Sequence, residues 1–234
     1  MFEGTRRCLW RLAIILLLVA AVGAFIQWRP DRWPNKAQTE AISQLRALGA
    51  IVNLDEYKNA ERLRIPPGDS LTALDHLPAL PLLKFLYLQL TLIDDDDLAR
   101  LQGAPLLEHL FLSGASITDE ALKYLEGLAH LKSLYLTETS IDGSGLKYVS
   151  QLTALEELNL AQTETTDAAL VHVSGLTNLI VLDVSGTPVS DEALEHLRDL
   201  KQLKVLGVVG AQVTNAGAEK LNQSLPNLEV KFKF

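Results

Sequence analysis

Tyr87, Phe111 and Tyr135 stand 24 residues apart, as do Phe85 and His109, so ring-bearing residues recur at one fixed interval. Rings held at equal places in stacked units form a column, and an exposed aromatic column favours contact with protein. The same interval continues both series into polar and acidic residues: Ser133 and Glu157 in one, Asn159 and Asp183 in the other. The candidate contact residues are therefore Phe85, Tyr87, His109, Phe111, Tyr135, Glu157, Asn159 and Asp183. The competing role for the rings is cross-strand packing that only stabilises a sheet.

Other groupings with chemical potential are weaker. Asp94 to Asp97 are four consecutive acids, but a Ca²⁺ loop needs further oxygen ligands at loop spacing and a glycine turn. Helix capping and a solvated face are the expected roles of this run. His172 and His196 are 24 apart and share a column with Tyr124, Tyr148 and Lys220. Stacked helices lie about 10 Å apart, near the limit at which two imidazoles share one ion. The sequence contains no His-Glu-x-x-His, Cys-x-x-Cys or Gly-x-Ser-x-Gly motif, no glycine-rich phosphate loop and no nucleophile–base pair at a recognisable spacing. The reading is non-enzymatic, with no metal and no cofactor expected.

Composition sets outer limits. The chain has 234 residues, 48% hydrophobic and 21% charged, a globular composition rather than a disordered one. A net charge of −8 argues against a nucleic-acid-binding surface. The single cysteine, Cys8, excludes an intramolecular disulfide and zinc-finger frameworks.

The elements that must position the rings come from a repeat. Leucines fall at 83, 107, 131, 155, 179 and 203. A second column runs Leu86, Leu110, Leu134, Leu158, Leu182, Leu206, and a third Leu88, Leu112, Leu136, Leu160, Val184, Val208. Each unit opens with two leucines three apart and a third aliphatic two later, which alternates as a short strand with one buried face. Further along come Ile93, Ile117, Ile141, Thr165, Val189 and Val213, then Leu98, Leu122, Leu146, Leu170, Leu194 and Ala218. The second half of a unit has helical spacing, as between Leu122 and Leu125. It opens on N-terminal helix chemistry: Thr118 or Ser190 as cap, then Asp119-Glu120 or Asp191-Glu192. One strand and one helix cannot bury their own apolar faces; stacked units can. The alternating charges Lys84, Glu108, Lys132 and Glu156 fall on adjacent strands, where they set register as a ladder.

This pattern resembles leucine-rich repeats. The form Leu-x-x-Leu-x-Leu-x-x-Thr-x-[Ile/Val]-[Thr/Ser]-Asp-x-x-Leu is similar to the short bacterial repeats of planctomycete-type proteins and to those of eukaryotic F-box adaptors. Thr91, Thr139, Thr163 and Thr187 stand where those families have cysteine or asparagine, and Ala115 and Ala211 depart from the pattern. No F-box precedes the repeats; an apolar segment stands in its place. The resemblance implies an α/β leucine-rich-repeat solenoid, a curved parallel sheet inside and helices outside, that binds partners on the concave sheet. Adaptor-like substrate recognition is the alternative that the F-box likeness implies.

The ends need covers. Lys36 to Leu48 reads as an amphipathic helix through Ala37, Ala41, Ile42, Leu45 and Leu48, stopped at Gly49 and followed by a strand at Ile51–Asn53. Glu61–Ile65 reads as a degenerate first repeat strand, and Leu228–Phe234 alternates as a final strand.

Leu12 to Ile26 is a run of fifteen uncharged residues, with Arg6, Arg7 and Arg11 ahead of it and tryptophans at 10 and 28. The nineteen residues from Trp10 to Trp28 span about 28 Å as a helix, close to a bilayer core with an aromatic belt at each side. An uncleaved anchor with a cytoplasmic N-terminus is the leading expectation. The small residues Val22, Gly23 and Ala24 give the alternative, cleavage near Ala24 and a secreted or periplasmic product. Both export the rest, which carries 18 basic and 28 acidic residues.

The expected organisation is an anchor or signal over 1–28, a linker with N-terminal capping helix and strand over 29–59, and repeats over 60–234, six of them complete at 83–225. The expected function is a monomeric, membrane-anchored protein-interaction scaffold whose partner is a protein. A spacer that organises an envelope without a specific ligand is the rival.

Overall fold

A computed structural model describes residues 34–67 and 71–233. The apolar run and its flanks lie outside the described residues, and no helix among the described residues is long and apolar enough to cross a membrane.

The first element is helix α1 (Lys36–Ala47), capped by the Asn35 side chain, which accepts from Gln38 N at 2.8 Å. Gly49 at φ +83 ends it, with Gly49 N and Ala50 N donating back to Arg46 O and Leu45 O. Ala41, Ile42 and Leu45 face the core as the spacing requires. Ala37 and Leu48 are exposed instead, and Gln38 takes the buried place between turns.

Nine strands form one sheet in chain order. They are β1 (Ile51–Leu54), β2 (Ala60–Arg64), β3 (Phe85–Tyr87), β4 (His109–Phe111), β5 (Ser133–Tyr135), β6 (Glu157–Asn159), β7 (Val181–Asp183), β8 (Val205–Gly207) and β9 (Glu229–Lys231). β1 pairs antiparallel with β2; every other pair is parallel. The exception to the expected all-parallel sheet comes from the connection. Only five residues join β1 to β2, enough for a hairpin but not for a crossover.

The leucine columns set the register. Leu63, Leu86, Leu110, Leu134, Leu158, Leu182 and Leu206 meet in sequence across the sheet, all sealed from solvent. Burying a leucine side chain contributes about 1.5–3 kcal/mol, and each repeat supplies several, so the core is one continuous stack.

The outer layer corrects the sequence reading. Where helices are expected, four repeats make short 3₁₀ turns: Asp96–Gly103, Asp119–Leu125, Asp167–Val173 and Ala193–Leu197. A fifth makes a single α-turn at Leu146–Val149, and only the last forms a longer helix, α2 (Asn215–Ser224). A 24-residue circuit leaves few residues for this return, and the 3₁₀ form covers more length per residue, about 2.0 Å against 1.5 Å.

Two hydrogen-bond ladders lock the units. Thr91, Thr139, Thr163 and Thr187 are buried, and each hydroxyl donates to the carbonyl three residues back, on Leu88, Leu136, Leu160 and Val184, at 2.6–2.7 Å. A buried carbonyl is thereby satisfied in four of the six full repeats; Ala115 and Ala211 hold this place in the other two. Thr165, in an otherwise aliphatic column, is tolerated because its hydroxyl lies 2.8 Å from that of Thr163. The second ladder runs between units. The carboxylates of Asp95, Asp167 and Asp191 each accept from both the backbone N–H and the hydroxyl of Thr118, Ser190 and Thr214 in the following repeat, at 2.6–2.7 Å. Asp119 instead accepts from the amides of Asp142, Gly143 and Gly145. Gly143 occupies the aspartate place in the third full repeat, at φ +96, where a Cβ would collide with that of Ala169.

The acidic run at 94–97 keeps its capping role and a solvated side, with Asp94 and Asp96 exposed, but two of its members do more. Asp97 is buried and pairs with Arg100 at 2.7 Å, Asp95 clamps the next repeat, and Asp94 accepts from the amides of Asp96 and Asp97.

Candidate functional site

On the face of the sheet opposite the core, the three-residue strands present two rows. Along the first lie Arg62, Phe85, His109, Ser133, Glu157 and Val181; along the second Arg64, Tyr87, Phe111, Tyr135, Asn159 and Asp183. All eight residues expected from the sequence to line this face stand there, each only partly covered.

The rings are spaced by the strands that carry them. Phe85 and His109 stack with centroids 4.2 Å apart and planes within 8°. Tyr87 and Phe111 stack at 4.4 Å and 5°, Phe111 and Tyr135 at 4.9 Å and 21°. These distances match the interstrand spacing of about 4.8 Å. Each ring turns its face to its neighbour, so the ring edges remain for contact with another molecule.

Hydrogen bonds close the rows toward β6. Tyr135 Oη donates to Glu157 Oε2 at 2.6 Å, and Ser133 Oγ donates to the same oxygen at 3.3 Å. His109 Nδ1 lies 2.9 Å from Ser133 Oγ; with the hydroxyl hydrogen on Glu157, Nδ1 is the donor. Burial and then the bond to Glu157 push the Tyr135 phenol up to about 12. Burial holds the His109 imidazole below its ordinary value, against the pull of Glu108 and Glu157. Asn159 Oδ1 accepts from Thr137 Oγ1 and Ala161 N, and Asp183 accepts from Ser185 N. From β4 to β7 the polar members of the face are thus engaged with their own sheet.

At the strand entrances the expected charge ladder forms in part. Lys132 donates to Glu108 at 2.7 Å, which holds the Glu108 carboxyl below its usual range, and Lys84 lies 4.0 Å from Glu108. The ladder continues one strand further than expected, from Lys84 to Glu61 at 3.5 Å, and no salt bridge among the described residues reaches Glu156. At the strand exits a left-handed turn recurs at Leu90, Gly114, Glu138, Gln162, Gly186 and Gly210. Leu90 is 63% exposed there and Leu92 74%, adding apolar surface beside the second row.

Arg62 and Arg64 are missing from the set expected of the sequence. Their guanidinium carbons sit 3.9 Å over the Phe85 ring and 4.9 Å over the Tyr87 ring. The signal that could have found them is the alternation Glu61-Arg-Leu-Arg-Ile65, with both arginines on one side of a strand.

No protein-family model matches this sequence, and no curated protein matches it. Solved structures do match in shape. An internalin of Listeria monocytogenes (inlF) is 23% identical with a TM-score of 0.55, over 66% of this chain and 42% of that one. Internalin C2 of the same organism is 23% identical with a TM-score of 0.59, over 85% of this chain and 83% of that one. The fold is that of leucine-rich-repeat proteins. The ring-bearing face corresponds to the concave face of a leucine-rich-repeat solenoid, and the 3₁₀ turns form the opposite side. This chain spans less than half the length of the first internalin.

Proposed function

We propose that this leucine-rich-repeat chain is a non-catalytic scaffold that holds a protein partner on its concave face. The observation that supports this most is the patch of five partly exposed rings, Phe85, Tyr87, His109, Phe111 and Tyr135, in register across three strands. Solvent-exposed aromatic surface of this kind is what protein interfaces use at their centres. A photocrosslinking amino acid at position 111 is expected to capture one protein saturably, while the same group at Lys147, exposed on the outer turns, captures none. Equal capture at the two positions, or no adduct at 111, would remove the concave face from the reading. A spacer without a ligand is the second reading, favoured by the rings having their faces against one another.

We also infer export, with residues 1–28 as membrane anchor, the N-terminus cytoplasmic and the repeats outside. The support is the arginine cluster ahead of the apolar run. A reporter active only in the cytoplasm, fused after Phe234, is expected to be silent; strong activity would refute this topology. A mature N-terminus at Phe25 would replace the anchor with a cleaved signal.

A further inference from the structure

Within the concave face, charge is distributed unevenly in what it leaves unsatisfied. Glu157, Asn159 and Asp183 already accept hydrogen bonds from the sheet. Arg62 and Arg64 do not share that condition. Among the described residues no carboxylate lies within ion-pair distance of either guanidinium. Glu61, their neighbour in β2, is engaged by Lys84. The other described arginines are all occupied: Arg46 donates to Val52 O, Arg100 pairs with Asp75 and Asp97, and Arg198 pairs with Glu195. In a chain of net charge −8, two arginines with no acid of the described residues beside them, at the head of the aromatic rows, call for an anionic counterpart.

Their geometry suits one. Each guanidinium lies on a ring, which fixes its plane and leaves its edge donors for a carboxylate. The two residues are separated by Leu63 in β2, so they project from one face about 6.6 Å apart along the strand. An extended polypeptide aligned with β2 carries alternate side chains at the same spacing.

We infer that Arg62 and Arg64 are an anion-recognition end of the concave face, which takes two carboxylates spaced two residues apart on an extended, acidic segment of the protein partner. This rests on the protein-binding reading above. The local positive charge of the two arginines selects the segment, against the chain's net charge of −8; other parts of the partner meet the ring edges on β3 to β5.

The test uses the full chain and a fluorescein-labelled peptide with two glutamates two positions apart in a serine–threonine background, beside its glutamine isostere. Anisotropy titration is expected to show at least tenfold tighter binding of the acidic peptide, with the preference erased in R62Q/R64Q. R62K/R64K, which keeps the charge but loses the fork, is expected to restore only a minor part. Equal binding of the two peptides, no binding of either, or a preference that survives R62Q/R64Q overturns the inference; full restoration by lysine overturns the forked geometry. Capture at position 111 separates this result from the broader reading. If R62Q/R64Q captures the same protein with undiminished affinity, the arginine site falls and the concave scaffold stands.

Discussion

Leu158→Asp is expected to abolish the cooperative melt of the repeats. Leu158 is 1% exposed in β6, and its sheet neighbours Leu134 and Leu182 are fully sealed. A carboxylate placed there meets only aliphatic side chains. Burying it, charged or protonated, costs several kcal/mol, against about 5–15 kcal/mol for a whole domain. In a stack each repeat rests on its neighbours, so damage at the sixth strand is passed to both sides. Circular dichroism during heating, with hydrogen exchange at β5–β7, reads the outcome. Leu158→Ala, which leaves a cavity but no charge, is expected to lose about 2–5 kcal/mol and still fold. A Leu158→Asp protein that melts within a few degrees of the parent would contradict the register across the whole sheet.

The second large effect is on binding. Replacing Tyr87, Phe111 and Tyr135 together by serine removes two ring stacks and the Tyr135–Glu157 hydrogen bond. The stacks contribute about 0.5–1.5 kcal/mol each, so the melting temperature is expected to drop while the leucine core keeps the protein folded. Affinity for the protein captured at position 111 is expected to fall by more than about a hundredfold, since aromatic anchors at interface centres lose about 2 kcal/mol or more each. Serine at Val181 and Val205, which occupy the first row on β7 and β8, is expected to change affinity little. A folded triple variant with unchanged affinity would mean that the rings serve the sheet alone. The binding role would then pass to the face between Glu157 and Asp183.

Most of the sheet is legible in the sequence because one period governs it. Once Leu86, Leu110 and Leu134 are seen to be 24 apart, Phe85, Tyr87, His109, Phe111 and Tyr135 must share a face, and the strand pairs are fixed with them. The same rule hides Arg62 and Arg64. Arg62 pairs with Phe85 and Arg64 with Tyr87, an offset of 23 rather than 24, so extending the period one step back puts the wrong residues in each row. The threonines are visible as a column, but not their reach to carbonyls three residues back, which depends on how tightly the chain turns after each strand. The aspartates at 95, 167 and 191 are legible as acids at a helix start. That they serve the turn of the following unit, rather than their own, is set by the lateral spacing of stacked repeats, which no local window contains. The 3₁₀ form of the outer turns is likewise a matter of the space left by the circuit, since the leucine spacing fits either helix.

The aspartate clamp also makes the joints interchangeable parts. Asp95 holds Thr118 through the same two bonds, at matching lengths, with which Asp167 holds Ser190 and Asp191 holds Thr214. A unit that gives an aspartate forward and offers a hydroxyl back can succeed any other such unit. An array built this way can be lengthened or shortened by whole repeats, and the reach of its sheet changed in steps of one strand, without redesigning the clamp itself. The unit containing Gly143 is the one that cannot be shuffled freely: it receives Asp119 on three backbone amides and hands no carboxylate on from position 143. It is fitted to its particular neighbours, and it fixes the middle of the array while the units on either side remain modular.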